Sequence, residues 1–186
     1  MGKIVAFDMV TVDGFFEGPD RDISWHNVDQ EFNEFAIQQL NSVDLLLFGR
    51  ITYEMMASYW PGPAAIQDDP VVAKLMNSKP KIVFSRTLDG AVWNNTRLIK
   101  TNISRELSEL RKKSGKELII FGSANLTASL ADLGLVDEYR IMVNPVILGK
   151  GRSLFEGFKQ KTIMKLLTVR TFSNGNVLLC YQAGGK

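Results

Sequence analysis

The stretch that decides the fold is DLLLFGRITYE, residues 44–54. Apart from its initial aspartate, the predicted strand Asp44–Phe48 is uniformly apolar and lacks the alternating polar side of a half-exposed strand, which is typical of a strand covered on both faces. Gly49 follows, and the next residues resume as a helix. A buried strand that leads directly into a helix predicts a parallel α/β sheet.

Three further stretches have the same character, and helical patterns separate them. The predicted strands are Ile4–Val10, Lys81–Phe84 and Glu117–Phe121. One helix is expected after Asn27, which can act as an N-cap with Gln30 three residues on, followed by apolar residues at helical spacing. A second helix is capped by Ser104 and ends near Gly115, where the chain should turn left-handed. A third runs from about Ala124 to Gly134.

The C-terminal third differs from the rest. Asp137–Val146 is predicted as a longer strand, and Thr162–Phe172 and Asn176–Tyr181 flank the turn sequence Ser173-Asn174-Gly175. Such a short turn predicts an antiparallel hairpin whose two central residues have positive φ. The expected fold is therefore one α/β domain, residues 1–186, with a mixed, mostly parallel sheet, helices on both faces and a C-terminal antiparallel hairpin.

Composition narrows the classes of function. The 186 residues are 45% hydrophobic and 23% charged, with a net charge of +2 and one cysteine, Cys180. No run approaches the ~20 apolar residues of a membrane helix. A lone cysteine without a secretory leader favours the cytoplasm. The densest basic run, Arg111-Lys112-Lys113, suits a helix end rather than a nucleic-acid surface, because cations are favourable beside the last carbonyls of a helix.

Three strand ends carry residues suited to phosphate. Glycine, arginine and threonine follow the second strand, serine and arginine follow the third, and small residues follow the fourth: Gly49, Arg50, Thr52; Ser85, Arg86; Gly122, Ser123, Ala124, Asn125. In parallel sheets ligands bind beyond the carboxyl ends of the strands, where helix N-termini supply free N–H groups. Each end also has a plain interpretation, as a surface turn, an ordinary strand end or close strand–helix packing.

Other chemistries lack their signatures. The sequence contains neither G-x-G-x-x-G nor G-x-x-x-x-G-K-[ST], so a Rossmann fingerprint and a P-loop are both excluded. One histidine and one cysteine make a metal site unexpected. A Ser-His-Asp triad would have to use His26, and no G-x-S-x-G motif accompanies it. His26 is also a possible proton donor, since its ordinary pKa is about 6.5.

Taken together, the phosphate-suited residues resemble the dihydrofolate reductase superfamily over nearly the whole chain. The Gly-Arg-x-Thr-aromatic-Glu motif of that superfamily is matched by Gly49–Glu54. Within it, Thr11-Val12-Asp13-Gly14 and Asn144–Gly151 (NPVILGKG) resemble the reductase domain of the bifunctional riboflavin-biosynthesis deaminase–reductase and the stand-alone bacterial proteins related to it. The resemblance implies a dihydrofolate reductase-like three-layer fold, NADPH as cofactor, a small heterocyclic substrate and a homodimer.

The resemblance also assigns roles to residues. NADPH would be held at the three strand ends, and the substrate ring would lie among Trp25, Phe32 and Tyr53. In dihydrofolate reductases an acid lies about five positions after a tryptophan, a count that reaches Gln30, flanked by Asp29 and Glu31. Asp29, Glu31 and Asp13 are therefore the candidate catalytic residues.

The sequence departs from the family pattern at two places that handle substrate. Phe15 follows Gly14 where the riboflavin reductases tend to have lysine, and Phe121 precedes Gly122 where they tend to have glutamate. Three functions stay open: reduction of a pyrimidine like 5-amino-6-(5-phosphoribosylamino)uracil, reduction of dihydrofolate or a pteridine, and NADP binding without catalysis.

Overall fold

The computed structural model describes residues 1–184, in which ten strands alternate with six α-helices. The strands are β1 Ile4–Thr11, β2 Phe15–Glu17, β3 Val43–Gly49, β4 Lys81–Phe84, β5 Thr96–Ile99, β6 Glu117–Phe121, β7 Glu138–Asn144, β8 Arg152–Ser153, β9 Met164–Thr171 and β10 Val177–Ala183. The helices are α1 Gln30–Ser42, α2 Arg50–Tyr59, α3 Pro63–Asp68, α4 Pro70–Ser78, α5 Ile103–Lys113 and α6 Ala124–Asp132.

Eight strands form one mixed sheet in the order β5-β4-β3-β6-β1-β7-β10-β9. Every pair from β5 to β7 is parallel, whereas β10 runs antiparallel to both β7 and β9. The predicted mostly parallel sheet closed by an antiparallel hairpin is thus confirmed. β2 and β8 pair separately as a small two-stranded sheet.

Helices cover both faces of the sheet. On one face, which we call the first core layer, α5 contributes Leu107 and α6 contributes Leu130 against Ile4 and Ile120 of the sheet. On the other face, the second core layer, α1, α2 and α4 pack over β1, β3 and β6. Strands covered on both faces must be apolar on both, which explains the uniform runs in the sequence. No helix within residues 1–184 combines the length and apolarity needed to cross a membrane.

Two predicted helix caps were wrong. α1 is capped by Asp29, whose carboxylate accepts the N–H of Phe32 at 2.9 Å, and Asn27 lies outside the helix. Asn27 instead accepts from the side chain of Asn176, so it ties this loop to the C-terminal hairpin. α5 begins one residue before Ser104, after a left-handed Asn102. Asp, Asn and Ser are near-equivalent N-caps, and local sequence does not choose among neighbours of this kind.

At two turns the backbone conformation also differs from the one that the sequence predicted. Gly115 does not have a positive φ, because α5 ends at Lys113 and Ser114 continues in extended conformation. In the hairpin only Gly175 has a positive φ, 90°, and not Asn174. The N–H of Gly175 donates to Phe172 and the N–H of Phe172 donates to Asn176. This is a three-residue loop ended by a left-handed glycine, rather than the two-residue turn that was expected.

Asp8 is a buried carboxyl in the middle of β1, 3% exposed, whose Oδ1 has no hydrogen-bond partner. Burial raises the pKa of Asp8 well above its usual value. The folded protein therefore holds a proton that the unfolded chain releases near pH 4. Since folding takes up this proton, the stability of the protein falls as pH rises from about 4 through the folded-state pKa.

Replacing Asp8 with valine is expected to raise the free energy of unfolding at pH 8 by about 1–3 kcal/mol, because it removes an unpaired buried polar group and the proton uptake that folding requires at this pH. The gain should shrink as the pH falls towards 4, because the carboxyl then becomes increasingly protonated in the unfolded chain, as it already is in the folded protein. Urea unfolding at the two pH values measures the difference. Asp89→Val, at an exposed loop position, is the control. A gain of equal size at both pH values would contradict the buried titration.

Candidate functional site

The carboxyl ends of β3 and β6 meet at the candidate cofactor site. Leu47 of β3 lies opposite Ile120 of β6, so the two glycines that follow, Gly49 and Gly122, come level. The N–H of Gly49 donates to the Ser123 hydroxyl at 3.0 Å. A Cβ on Gly122 would lie only 3.4 Å from the Thr52 methyl. The structure therefore brings together the glycines, threonine and serine that the sequence places 70 residues apart.

The turn into α6 has the form of an anion cradle. Gly122 and Ser123 both have left-handed backbones, with φ of 55° and 63°, and α6 begins at the next residue. The first N–H groups of a helix have no intrahelical partners and carry its positive dipole end. The N–H groups at 123–125 are thus available to phosphate oxygens, as the sequence predicts for a pyrophosphate.

The two candidate phosphate-binding arginines differ in their present partners. Arg50 pairs with Glu54 one turn along α2 at 3.2 Å, and a phosphate would have to replace that carboxylate. Arg86 is exposed after β4 and makes no ion pair within residues 1–184. The hydroxyl of Ser85 accepts the N–H groups of Thr87 and Leu88 at 3.1 and 3.0 Å, which shapes the turn that presents Arg86. Arg86 is therefore the better poised of the two cations.

The small β2–β8 sheet flanks this cradle and was not predicted. Phe16 of β2 lies beside Gly122, about 3.8 Å from where a Cβ would be. Arg152 of β8 donates to the side-chain oxygen of Asn125 in the first turn of α6 and to Glu17. Asn125, a predicted cofactor residue, therefore also anchors Arg152. Pairing between residues 15–17 and 152–153 leaves no local pattern that sequence reasoning could have found.

Asp13 joins the two loops that carry the most specific motifs. Its carboxylate accepts the Thr11 hydroxyl at 2.6 Å and the N–H groups of Gly149 and Leu148 at 2.8 and 3.3 Å. The Thr11 hydroxyl, with these backbone donors, holds the pKa of Asp13 below its usual range. A carboxylate held ionised in this way fixes loop geometry, and it is unsuited to donate a proton near neutral pH.

The acids flanking Gln30 also have structural partners. Asp29 is the N-cap of α1, and Glu31 accepts both the N–H and the hydroxyl of Ser173 at 2.8 Å. These bonds from Ser173, with Arg170, lower the pKa of Glu31. His26 is neutral at physiological pH because burial lowers its pKa to about 4. A catalytic role for Asp29 or Glu31 stays a prediction.

A row of aromatic rings crosses the second core layer from α1 to α2. Successive ring centroids lie 5.8–6.5 Å apart along the row, which in order is Phe32, Phe35, Phe7, Phe121, Phe48 and Tyr53. Phe32 and Phe121 are half-buried, while the rings between them and at the α2 end are buried. We call these two the partly exposed members of the aromatic row.

Tyr53 does not take the role that the resemblance implied. It is 1% exposed, and its hydroxyl accepts the N–H of Trp93 at 2.9 Å, so it supports the core instead of facing a substrate. Trp25 is half-buried against the second core layer, and its indole N–H donates to the carbonyl of Asp22. Phe121, at the end of β6, lies between Phe7 and Phe48 in the row and is partly exposed, unlike Tyr53.

A depression of about 600 Å³ lies at the other end of the sheet. Its lining includes Lys81 and Thr96, the first residues of β4 and β5. It lies away from the carboxyl ends, where the cradle, the arginines and the exposed aromatic rings are found. The candidate site is therefore assigned by its chemistry and not by the size of a cavity.

Comparisons with known proteins agree with this geometry. Residues 3–178 match the family described as the RibD C-terminal domain. The chain is 37% identical over 185 residues to the uncharacterised protein YyaP of Bacillus subtilis (strain 168), covering 98% of this chain and 96% of that one. It is 26% identical over 175 residues to YwjB of the same organism, covering 91% and 92% of the two chains.

Solved structures show the same fold. A putative riboflavin biosynthesis protein from Shewanella sp. PV-4 superposes with a TM-score of 0.75 at 22% identity, covering 98% of this chain and 99% of that one. The diaminohydroxyphosphoribosylaminopyrimidine deaminase/5-amino-6-(5-phosphoribosylamino)uracil reductase of Thermotoga maritima gives 0.71 at 15% identity, covering 98% and 57%. A dihydrofolate reductase from Enterococcus faecalis, complexed with NADP(H), gives 0.66 at 14% identity, covering 99% and 98%. The expected dihydrofolate reductase-like fold is confirmed.

Proposed function

The chain belongs to the RibD C-terminal domain family, and from that premise we propose that it is an NADPH-dependent reductase of a small nitrogen heterocycle. The observation that carries the proposal is the convergence of Gly49, Thr52, Gly122 and Ser123 beside a free helix N-terminus. The partly exposed rings Phe32 and Phe121 lie on the same side of the molecule as the carboxyl ends of the parallel strands, and they supply an apolar surface for a planar ring.

The residues present fit the cofactor. The N–H groups at the start of α6 would hold the pyrophosphate, while Arg86, Ser85 and Arg50 would hold the 2′-phosphate that distinguishes NADPH from NADH. Glycine at 122 lets the ligand approach the backbone, and its left-handed φ of 55° is one that other residues rarely adopt. The dihydrofolate reductase neighbour complexed with NADP(H) supports this assignment by analogy of fold.

When bound, the reduced nicotinamide would supply a hydride to carbon of a C=N or C=O bond, and a proton would complete the addition at the heteroatom. The protein residues would orient the two rings against the sheet and keep water from the reacting carbon. Asp13, Glu31 and His26 are not held in proton-donating form at neutral pH. We therefore propose solvent as the source of the proton.

NADP binding without catalysis is the second candidate. The observation that favours it is the engagement of Asp13, Asp29 and Glu31 in structural hydrogen bonds.

Reduction of dihydrofolate or a pteridine differs from pyrimidine reduction only in the ring that the site accepts. Homodimer formation and a cytoplasmic location, which the family resemblance and the composition imply, stay predictions.

A fluorescence titration with NADPH and NADH tests the proposal. We expect NADPH to bind at least tenfold more tightly, because the 2′-phosphate adds charge-assisted hydrogen bonds. Oxidation of NADPH, followed at 340 nm with dihydropteridines and aminopyrimidine ribosides, then separates an enzyme from a binding protein. Equal affinity for the two cofactors would rule out the 2′-phosphate site.

A further inference from the structure

The part of the chain that builds both sides of the aromatic row is strongly acidic. Between Asp22 and Ala73 the only lysine or arginine is Arg50, although the whole chain carries a net charge of +2. The same segment holds eight carboxylates: Asp22, Asp29, Glu31, Glu34, Asp44, Glu54, Asp68 and Asp69. This segment includes α1, β3, α2 and α3.

The partly exposed rings Phe32 and Phe121 lie on or beside these acidic elements. Phe32 comes from α1, and Met56 and Trp60 come from α2 and its end, all partly buried against the second core layer that also carries Phe121. Met55 and Tyr59, 38% and 44% exposed, extend the apolar surface along α2. Both helices therefore present aromatic or thioether groups on the face of the sheet that also carries Phe121.

Nearby cations already have partners or lie on loops. Arg50 pairs with Glu54, on the side of the proposed cofactor. Arg170 pairs with Glu31 and stacks on Phe172 at 4.4 Å, which holds it on the hairpin side of α1. Arg21 and Lys150 are exposed on the loops after β2 and β7. Neither α1 nor α2 thus offers an unpaired cation to a substrate.

We infer that the substrate is a planar nitrogen heterocycle, neutral or cationic, that carries no phosphate and no carboxylate tail. This inference rests on the proposed reductase function. A phosphate or a glutamate tail needs cations or N–H donors where it lies, and like charge opposes its approach. The helices α1 and α2 carry Glu31, Glu34 and Glu54 together with apolar side chains instead, whereas Asp44 lies at the other end of the sheet beside Ser114. The phosphoribosyl pyrimidine of the riboflavin reductases, which the resemblance suggests, is outside this class.

Matched pairs of compounds test the inference. One pair is an aminopyrimidine riboside and its 5′-phosphate, and the other is a dihydropterin and dihydrofolate. Calorimetric binding without cofactor, followed by kcat/KM with NADPH, should favour the untailed member of each pair at least tenfold. The ratio of the two affinities within each pair should become smaller at high salt, because screening weakens repulsion by the carboxylates.

A substitution at Phe32 tests whether the heterocycle binds at the aromatic row. Phe32→Leu should weaken binding of the untailed heterocycle about tenfold, through loss of the aromatic contact, and leave NADPH affinity unchanged. Phe155→Leu, at another partly exposed phenylalanine, is the matched control and should change neither. Thermal unfolding of both variants verifies that they fold.

The outcomes separate this inference from the proposed function. A preference for the phosphorylated or glutamate-bearing member, or binding of neither ring by a protein that binds NADPH, overturns the inference and leaves the cofactor site intact. Failure to bind NADPH overturns the proposed function, while calorimetry without cofactor still decides which class of ring the site accepts.

Discussion

Replacing Arg86 with alanine is expected to weaken NADPH binding by about 10- to 150-fold, equivalent to ~1.5–3 kcal/mol, and to leave NADH binding unchanged. Arg86 is exposed directly after β4 and makes no ion pair within the described residues. Its guanidinium therefore gives up no protein contact when it binds a phosphate, and its removal should lose the whole interaction. Arg50→Ala should have a smaller effect, because Arg50 must first leave Glu54.

Fluorescence titration of both cofactors, at one ionic strength, measures this difference. Arg97→Ala is the matched control, since Arg97 is a comparably exposed arginine on β5 whose partner is Glu106. It should leave both affinities within twofold. If Arg86→Ala weakened NADPH and NADH equally, the arginine would act through the fold or the pyrophosphate rather than through the 2′-phosphate.

Gly151→Ala is expected to destabilise the protein by about 1–3 kcal/mol, the usual cost of overpacking. A Cβ at this position would overlap the carbonyl oxygen of Glu17 and lie 3.2 Å from the ring of Phe15. Backbone cannot yield as a flexible side chain can, so β2 and β8 should separate. Because β8 carries Arg152, which holds Asn125 at the start of α6, NADPH affinity should fall about tenfold as well.

Thermal unfolding and the NADPH titration together test this second substitution. Gly115→Ala is the control, because a Cβ there would meet nothing within 4 Å and its φ is not positive. It should preserve both stability and binding. A stable Gly151→Ala variant with normal NADPH affinity would show that the β2–β8 sheet does not support the cradle.

The sheet could be predicted from the sequence because its central strands are buried on both faces. The bounds of β4 and β6 were predicted exactly, and those of β1 and β3 to within one residue at each end. The two-residue strand β8 escaped because so short a run has no measurable period. The strand β5, although as long as β4, escaped because it begins with the polar residues Thr96 and Arg97. Helix starts were less certain, since Asn27, Asp29, Asn102 and Ser104 are all acceptable caps and only tertiary contacts decide among them.

The cofactor side of the site followed from the sequence better than the substrate side. Glycine, serine and arginine after parallel strands lie at one edge of the sheet as a matter of topology, so Gly49 and Ser123 had to meet. Which aromatic residue faces a ligand depends on how each helix is rotated about its axis and on how deeply its side chains are buried in the core. Tyr53 lies near the start of a helix and Phe121 at the end of a strand, and only the structure shows that Tyr53 is buried, with its hydroxyl on the N–H of Trp93.

The position of β1 has a consequence for how the protein is made. Strand β1, which is synthesised before the other strands of this domain, lies between β6 and β7, where Ile4 is level with Leu118 and Val5 with Glu138. At about 5–20 residues per second, these partners are synthesised on the order of 10 s later. Until then the apolar residues of β1 have no sheet to join. Formation of the central sheet should therefore wait until β6 and β7 have been made, and until then β1 stays exposed in the growing polypeptide.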